Sequence, residues 1–168
     1  MDGSLLSRIA ECHEESFAWA LACCGRDRHE AEEVLQSVYL KVVEGRARFG
    51  GRSSLRTWLF AVVRRTAADR RRRAALRRLW MVPLGRDADP PSEAAPPDQA
   101  AEEAERGERL ARALERLPRR QREVLVLVFY HGHAVDEAAA VLGIGVGSGR
   151  THYARGKARL KELLGEMP

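Results

Sequence analysis

Apolar residues recur every three or four positions along most of this chain, which is the spacing of helices that bury one face. Phe17, Leu21 and Cys24 form one stripe, and Val34, Leu35, Val38 and Val42 form a second. The third is Leu55, Trp58, Leu59, Val62, Val63 and Thr66, with Thr57, Phe60, Arg64 and Arg71 on the opposite side. Ser53 or Ser54 suits its N-cap, and Gly50 and Gly51 mark the loop before it. The run Glu123 to Tyr130 (EVLVLVFY) fits a strand or a helix by periodicity alone. Pro118 suits a first helical turn, and Leu114, Leu117, Val124, Leu125 and Val128 share one helical phase, so helix is predicted. Five of the seven prolines fall between Met81 and Asp98, a composition that buries too little apolar surface to order itself. The predicted fold is all-α: two small helical domains, 1–80 and 102–168, joined by a flexible Pro-rich linker over 81–101.

The segment Asp136 to Leu164 (DEAAAVLGIGVGSGRTHYARGKARLKELL) has the order of a helix-turn-helix. Ala139 is small where two helices would cross, Leu142 and Ile144 are apolar, Gly143 suits a left-handed turn, and Val146 is expected to close the small core. On the longer helix Val146, Gly149, Tyr153, Gly156, Leu160 and Leu163 share one side. Ser148, Thr151, His152, Arg155 and Arg159 share the other, with Arg150 and Lys157 at the border. Short, hydrogen-bonding and cationic side chains are what reading a major groove requires, although a helical hairpin with a solvated face fits the same pattern. Gly149 either permits a close crossing or leaves the inner face underfilled; with Ala134 and Ala138 in the same unit, the expectation is underfilling, so that Gly149→Ala stabilises.

Charge separates the chain further. Acids outnumber bases from Met1 to Gly45, whereas from Arg46 to Arg78 every charged residue but Asp69 is an arginine. The net charge of +5 conceals this asymmetry, and a basic block of this kind suits phosphate. A membrane-surface helix would need its apolar face for lipid, but here that face is needed for a core. Trp58 is expected as a core anchor rather than a base-stacking platform. The start (MDGSLLSRIAECHEE) has no leader-like pattern and no run is long enough to span a bilayer, so a cytoplasmic protein is expected. Cys12, Cys23 and Cys24 are odd in number and lack CxxC spacing, which argues for ordinary thiols over a disulfide framework or a metal site. Paired carboxylates and phosphate loops are absent, so no catalytic site and no cofactor is expected.

Three segments, AEEVLQSVYLKVV (31–43), FGGRSSLRTWLFAVVRRTAADRRRR (49–73) and LPRRQREVLVLVFYHG (117–132), followed by the helix-turn-helix, resemble bacterial extracytoplasmic-function sigma factors. The resemblance runs from about Ser16 to Leu164. It implies a protein without catalysis of its own that joins core RNA polymerase and directs it to promoters. It further implies that Glu32, Glu33, Leu35, Gln36 and Tyr39 dock on the polymerase. Phe49, Ser53, Ser54, Arg56, Arg64, Arg65, Arg70 and Arg71 would engage the minus-ten region, where a base is flipped from the opened strand. Ser148, Arg150, Thr151, His152, Arg155 and Arg159 would engage the minus-thirty-five element. The linker resembles the segment that threads toward the polymerase active centre, and a flexible tether fits it equally. The resemblance implies an anti-sigma factor as a further partner. The chain departs from the family pattern at Arg65, where Asn is common, and at Ala134, Ala138 and Gly149. A sigma-like interaction protein that does not initiate, or a repressor acting without polymerase, are the competing functional classes.

Overall fold

The computed structural model describes the backbone of residues 3–80 and 98–166, and side chains over 5–76 and 105–166. Every regular element among them is helical. In the first half α1 (Gly3–Glu11) leads into α2 (His13–Cys23), α3 (Arg28–Val43) and the long α4 (Leu55–Trp80). Asp27 caps α3 by accepting the Glu30 amide at 2.9 Å, which satisfies one donor left open at a helix start. Ser54 does the same for α4, accepting from the Thr57 amide at 3.1 Å; Ser53 Oγ instead donates to the Ser54 carbonyl.

Helices α2, α3 and α4 close on a core containing Trp19, Ala31, Val34, Val38, Leu59 and Val63, all fully buried. Two polar braces tie α3 to α4. Lys41 Nζ donates to Thr66 Oγ1 at 2.8 Å, and Arg70 Nε donates to Glu30 Oε1 at 2.8 Å. The stripe on α3 is buried as its spacing predicts. On α2 the buried residues are Ser16, Trp19, Ala20 and Cys23. Phe17, Leu21 and Cys24 are only half-buried, so the predicted stripe is displaced to one side of the true face.

The second half contains α5 (Asp98–Glu115), α6 (Arg119–Leu125), a π-helical turn (Val126–Tyr130), α7 (Val135–Leu142) and α8 (Val146–Glu166). Helix α5 begins within the stretch expected as linker; residues 81–97 of that stretch lie outside the described residues. The ambiguous EVLVLVFY run is helical, but its second part widens into the π turn. There Leu127 is buried while Phe129 and Tyr130 are exposed.

Helix α7 ends at Gly143, whose φ of 63° is the left-handed conformation that closes a helix cheaply only for glycine. At its start Ala134 has no side-chain acceptor, and half of a capping box remains: Glu137 accepts the Ala134 amide at 2.9 Å. Ile144 packs against the main core. Val146, expected to close it, is largely exposed, because the turn brings Ile144 inward first.

The two halves do not have separate interiors. One apolar cluster runs from Trp19, Val38, Leu59 and Phe60 to Val124, Leu127, Ala138, Val141 and Leu142; a smaller one holds Ala113, Leu117, Leu125 and Leu163. Helix α4 is therefore covered on both sides. Thr57 and Phe60, on its predicted outer face, are 4% and 0% exposed. Burying an aromatic of this size completely makes its truncation to alanine cost about 3–5 kcal/mol.

The expectation for Gly149 is overturned. A β-carbon added there would lie 2.9 Å from Ala139 Cβ and 3.5 Å from the Val135 carbonyl oxygen. The inner face of α8 is thus filled by a close approach of α7, and Ala139 is the small residue at that crossing.

Candidate functional site

Three surfaces carry the chemistry singled out in the sequence. The first is the outer face of α3. Glu32 and Gln36 are exposed and Glu33 and Tyr39 half-buried; Glu32, Gln36 and Tyr39 line, with His13, Phe17 and Arg28, a shallow groove between α2 and α3. Leu35 is 2% exposed. It forms the groove's floor and belongs to the core, so it is not available as a docking side chain in the way expected. Tyr39 Oη is 2.9 Å from His13 Nδ1, and burial raises the Tyr39 phenol above its ordinary pKa, with Cys12 adding to the shift. Glu32 pairs with Arg28 one turn away at 3.0 Å, an exposed contact worth a few tenths of a kcal/mol.

The second surface is the 49–54 loop and the start of α4. Phe49 packs its ring against Trp58, with centroids 5.5 Å apart; Trp58 is half-buried against the core. The arginines expected together on a nucleic-acid face are divided by the fold. Arg65 is exposed, its Nε donating to the Ala61 carbonyl at 3.2 Å. Arg70 is held by Glu30 and, at 3.5 Å, by Glu33. Arg71 donates to the Cys23 carbonyl at 3.2 Å. Arg56 pairs with Glu15 at 2.7 Å and also donates to the backbone carbonyl of His131. Arg64 is 12% exposed and reaches Glu123 at 3.4 Å. Burial pushes the Arg64 guanidinium below its usual pKa, against the opposing pull of Glu123.

The third surface is α8. Gly149, Gly156 and Leu163 are buried, while Ser148, Arg150, Thr151, Arg155 and Arg159 are exposed and His152 half-buried. Apart from the exposed Val146, the inner and outer sides of the helical wheel are therefore separated as the spacing predicts. Thr151 Oγ1 bonds back to the Gly147 carbonyl at 3.0 Å, and Arg159 pairs with Glu162 at 2.9 Å. The row offers hydroxyl, imidazole and guanidinium groups, which can bond both base edges and phosphate oxygens.

The cysteines are free thiols. Burial raises all three; Cys24 is pushed up to about 11 and Cys23 further. No cluster among the described residues has the make-up to hold a metal ion. Glu123, His131 and His133 were not singled out from sequence, yet all three are 4–5% exposed where the halves meet. A lone acid within LPRRQRE was the available clue for Glu123; nothing in the local pattern marks the histidines.

Two family models match the chain: Sigma-70 region 2 over residues 10–77 and Sigma-70, region 4 over residues 107–160. The three helical surfaces thus sit on the two conserved regions of a sigma-70-type transcription factor. The chain is 31% identical over 146 residues to the ECF RNA polymerase sigma factor SigX of Bacillus subtilis, covering 84% of this chain and 75% of SigX. It is 31% identical over 137 residues to the RNA polymerase sigma factor CarQ of Myxococcus xanthus, covering 82% and 76% respectively. Its fold is similar to that of the sigma factor RpoE in complex with the anti-sigma factor NepR from Bartonella quintana. That match has a TM-score of 0.74 at 22% identity, over 99% of this chain and 100% of the other. CnrH, solved in complex with the cytosolic domain of CnrY, matches with a TM-score of 0.65 at 24% identity, over 96% and 88%. The chain belongs to the extracytoplasmic-function sigma factors of RNA polymerase. It is an alternative sigma factor that binds core RNA polymerase and directs promoter recognition and transcription initiation.

Proposed function

We propose that the separate steps of initiation are distributed over the three surfaces. Glu32, Glu33, Gln36 and Tyr39 on α3 dock on core polymerase. Phe49, Ser53 and Ser54, with Arg56, Arg64, Arg65, Arg70 and Arg71 behind them, engage the minus-ten strand. There phosphate contacts offset the few kcal/mol that flipping a base out of the stack costs. Ser148, Arg150, Thr151, His152 and Arg155 read the minus-thirty-five element, with Arg159 on its backbone. The observation that carries this reading is the sidedness of α8, whose buried glycines and leucine leave a continuous polar and cationic row outward.

The working units are 1–80 and 102–168, joined by 81–101. The protein acts as an initiation factor with no catalysis of its own. No helix among the described residues is long and apolar enough to cross a membrane. Action on polymerase and promoter DNA supports a cytoplasmic location. Its fold neighbour RpoE was crystallised in complex with the anti-sigma factor NepR, which supports an anti-sigma factor as a further partner here.

Run-off transcription with purified core polymerase tests the assignments separately. Replacing Gln36 and Glu32 by Ala should weaken core binding and leave promoter choice intact; replacing Arg150 and Arg155 by Ala should leave core binding intact and remove promoter selection. Polymerase binding without promoter-specific transcripts from the unaltered protein would refute this distribution and favour an interaction protein.

A further inference from the structure

Of the arginines assigned above to the minus-ten strand, the fold leaves one uncommitted. Arg56, Arg64 and Arg70 are held by Glu15, Glu123 and Glu30, and Arg71 by the Cys23 carbonyl. Arg65 is exposed, and no carboxylate among the described residues pairs with it. Its Nε donates to the Ala61 carbonyl, one turn back on its own helix, at 3.2 Å. That bond holds the stem against α4 and leaves Nη1 and Nη2 as an open two-pronged donor.

Arg65 stands on the same side of α4 as the ring pair at the 49–54 loop. Trp58, against which Phe49 packs, lies two turns earlier, about 10.5 Å along the axis. Between them is the half-buried Ala61, whose small side chain leaves the surface low from ring to guanidinium. Beside Arg65, Lys41 donates to Thr66. Burial lowers the Lys41 ammonium first, and Arg46, Arg73 and Arg65 add to the shift against the opposing pull of Asp69. Asp69 is itself paired with Arg72 at 2.7 Å, and Glu44 with Arg46. Cations therefore outnumber carboxylates on this face, which suits a phosphate backbone.

We propose that Arg65 is a specificity-determining residue of the minus-ten element, presenting Nη1 and Nη2 to the O6 and N7 atoms of one guanine. The proposal rests on the minus-ten assignment above and adds a base choice to it. A guanidinium fork matches those two acceptors, which are open on a duplex and on a separated strand alike. The distance from Trp58 corresponds to about three steps of a stacked strand at about 3.4 Å each, so the guanine lies within three positions of the base held at the loop. A side chain already bonded to its own helix loses little freedom when it makes this contact. The other arginines must first give up a carboxylate or a backbone carbonyl. Asn is common in the family where Arg65 stands, so relatives that carry it lack this fork.

The experiment uses reconstituted holoenzyme and a pool of barcoded templates, built on a promoter from which the unaltered protein initiates, with the minus-ten region randomised. Sequencing the run-off products against the input gives the base preference at each position. The unaltered protein should enrich guanine roughly tenfold at one position. Arg65→Ala and the longer Arg65→Gln should both abolish that enrichment and leave the preferences at other positions in place. Arg73→Gln removes the same charge from the same face and should lower yield without changing base choice. Guanine enrichment that survives in either Arg65 variant overturns the proposal. Its equal loss in Arg73→Gln does so too, since charge alone then accounts for it. Loss of preference at every position in Arg65→Ala would reduce Arg65 to a general strand contact and overturn the proposal while leaving the minus-ten assignment standing. No base preference anywhere in the window of the unaltered holoenzyme would refute the minus-ten assignment itself, and the proposal with it.

Discussion

Replacing Gly149 by alanine adds a single methyl group where α7 and α8 cross. The added carbon would lie 2.9 Å from Ala139 Cβ, against the 3.5–4.0 Å at which carbon atoms attract best. Ala139 offers no rotamer to move aside, since its β-carbon is fixed to the backbone of α7. The helices must therefore separate by about half an ångström or more, in an interior packed like a crystal. Overpacking of this kind costs about 1–3 kcal/mol. Removing a glycine gains at most about 1 kcal/mol of helix propensity, and less in the first turn of α8 where residue 149 stands. The net expectation is a loss of about 1–2 kcal/mol, which lowers the melting temperature of a chain this size by about 2–8 °C. Scanning calorimetry of the full chain measures this, with circular dichroism as a second probe of the same transition. Ala139→Gly combined with Gly149→Ala returns the space that the added methyl takes up, so the two effects should couple by at least about 0.5 kcal/mol rather than add. A melting temperature that is unchanged or raised in Gly149→Ala would refute the close-crossing argument.

Gly156→Ala should be milder, within about 1 kcal/mol of neutral, because its closest neighbours, Gln121 Cβ and Leu125 Cγ and Cδ1, lie at 3.2–3.3 Å rather than 2.9 Å; the same calorimetry ranks the two glycines. Replacing Arg159, the residue assigned to the DNA backbone, by Ala should flatten the dependence of log affinity on log salt by about 0.9 if one phosphate is no longer neutralised, read from holoenzyme binding to duplex promoter DNA. At neutral pH Cys23 and Cys24 should resist alkylation until the chain is denatured, because burial raises both thiols and leaves almost no thiolate; mass spectrometry of timed samples gives the rates, and rapid native labelling of Cys23 would contradict its burial.

The stripes on α3 and α4 were legible because a spacing of three and four reports directly the face that each helix turns to the core of the first half. Phe60 and Thr57 were not, because periodicity cannot distinguish a face open to water from one covered by residues seventy positions away. The same limit displaced the stripe on α2. Trp19 and Ser16 lie where the cover comes from α3 and α4 together with the segment carrying His131, and the local pattern favoured Phe17 and Leu21. The outward row of α8 was readable, since its inner and outer sides differ sharply in composition. The sign of the Gly149 effect was not, because a helix-to-helix distance is a tertiary quantity, although the small residue at Ala139 was its trace. The division of the arginines was equally hidden: Arg56, Arg64 and Arg70 look alike in a basic run, and only the fold gives them Glu15, Glu123 and Glu30 as partners. The π turn has no proline or glycine to announce it, and VLVFY suits an ordinary helix as well.

The braces between α3 and α4 have a mechanical meaning. On α3 the anchors Glu30 and Lys41 stand near opposite ends, while on α4 their partners Arg70 and Thr66 are one turn apart. Two cross-links at separate points resist both sliding and rolling of one helix on the other. Under the assignments proposed here, α3 is the side applied to polymerase and α4 the side applied to the promoter strand. The offset between enzyme and strand is then a fixed length built into the first half of the chain, and bases are captured at a position gauged from the polymerase itself.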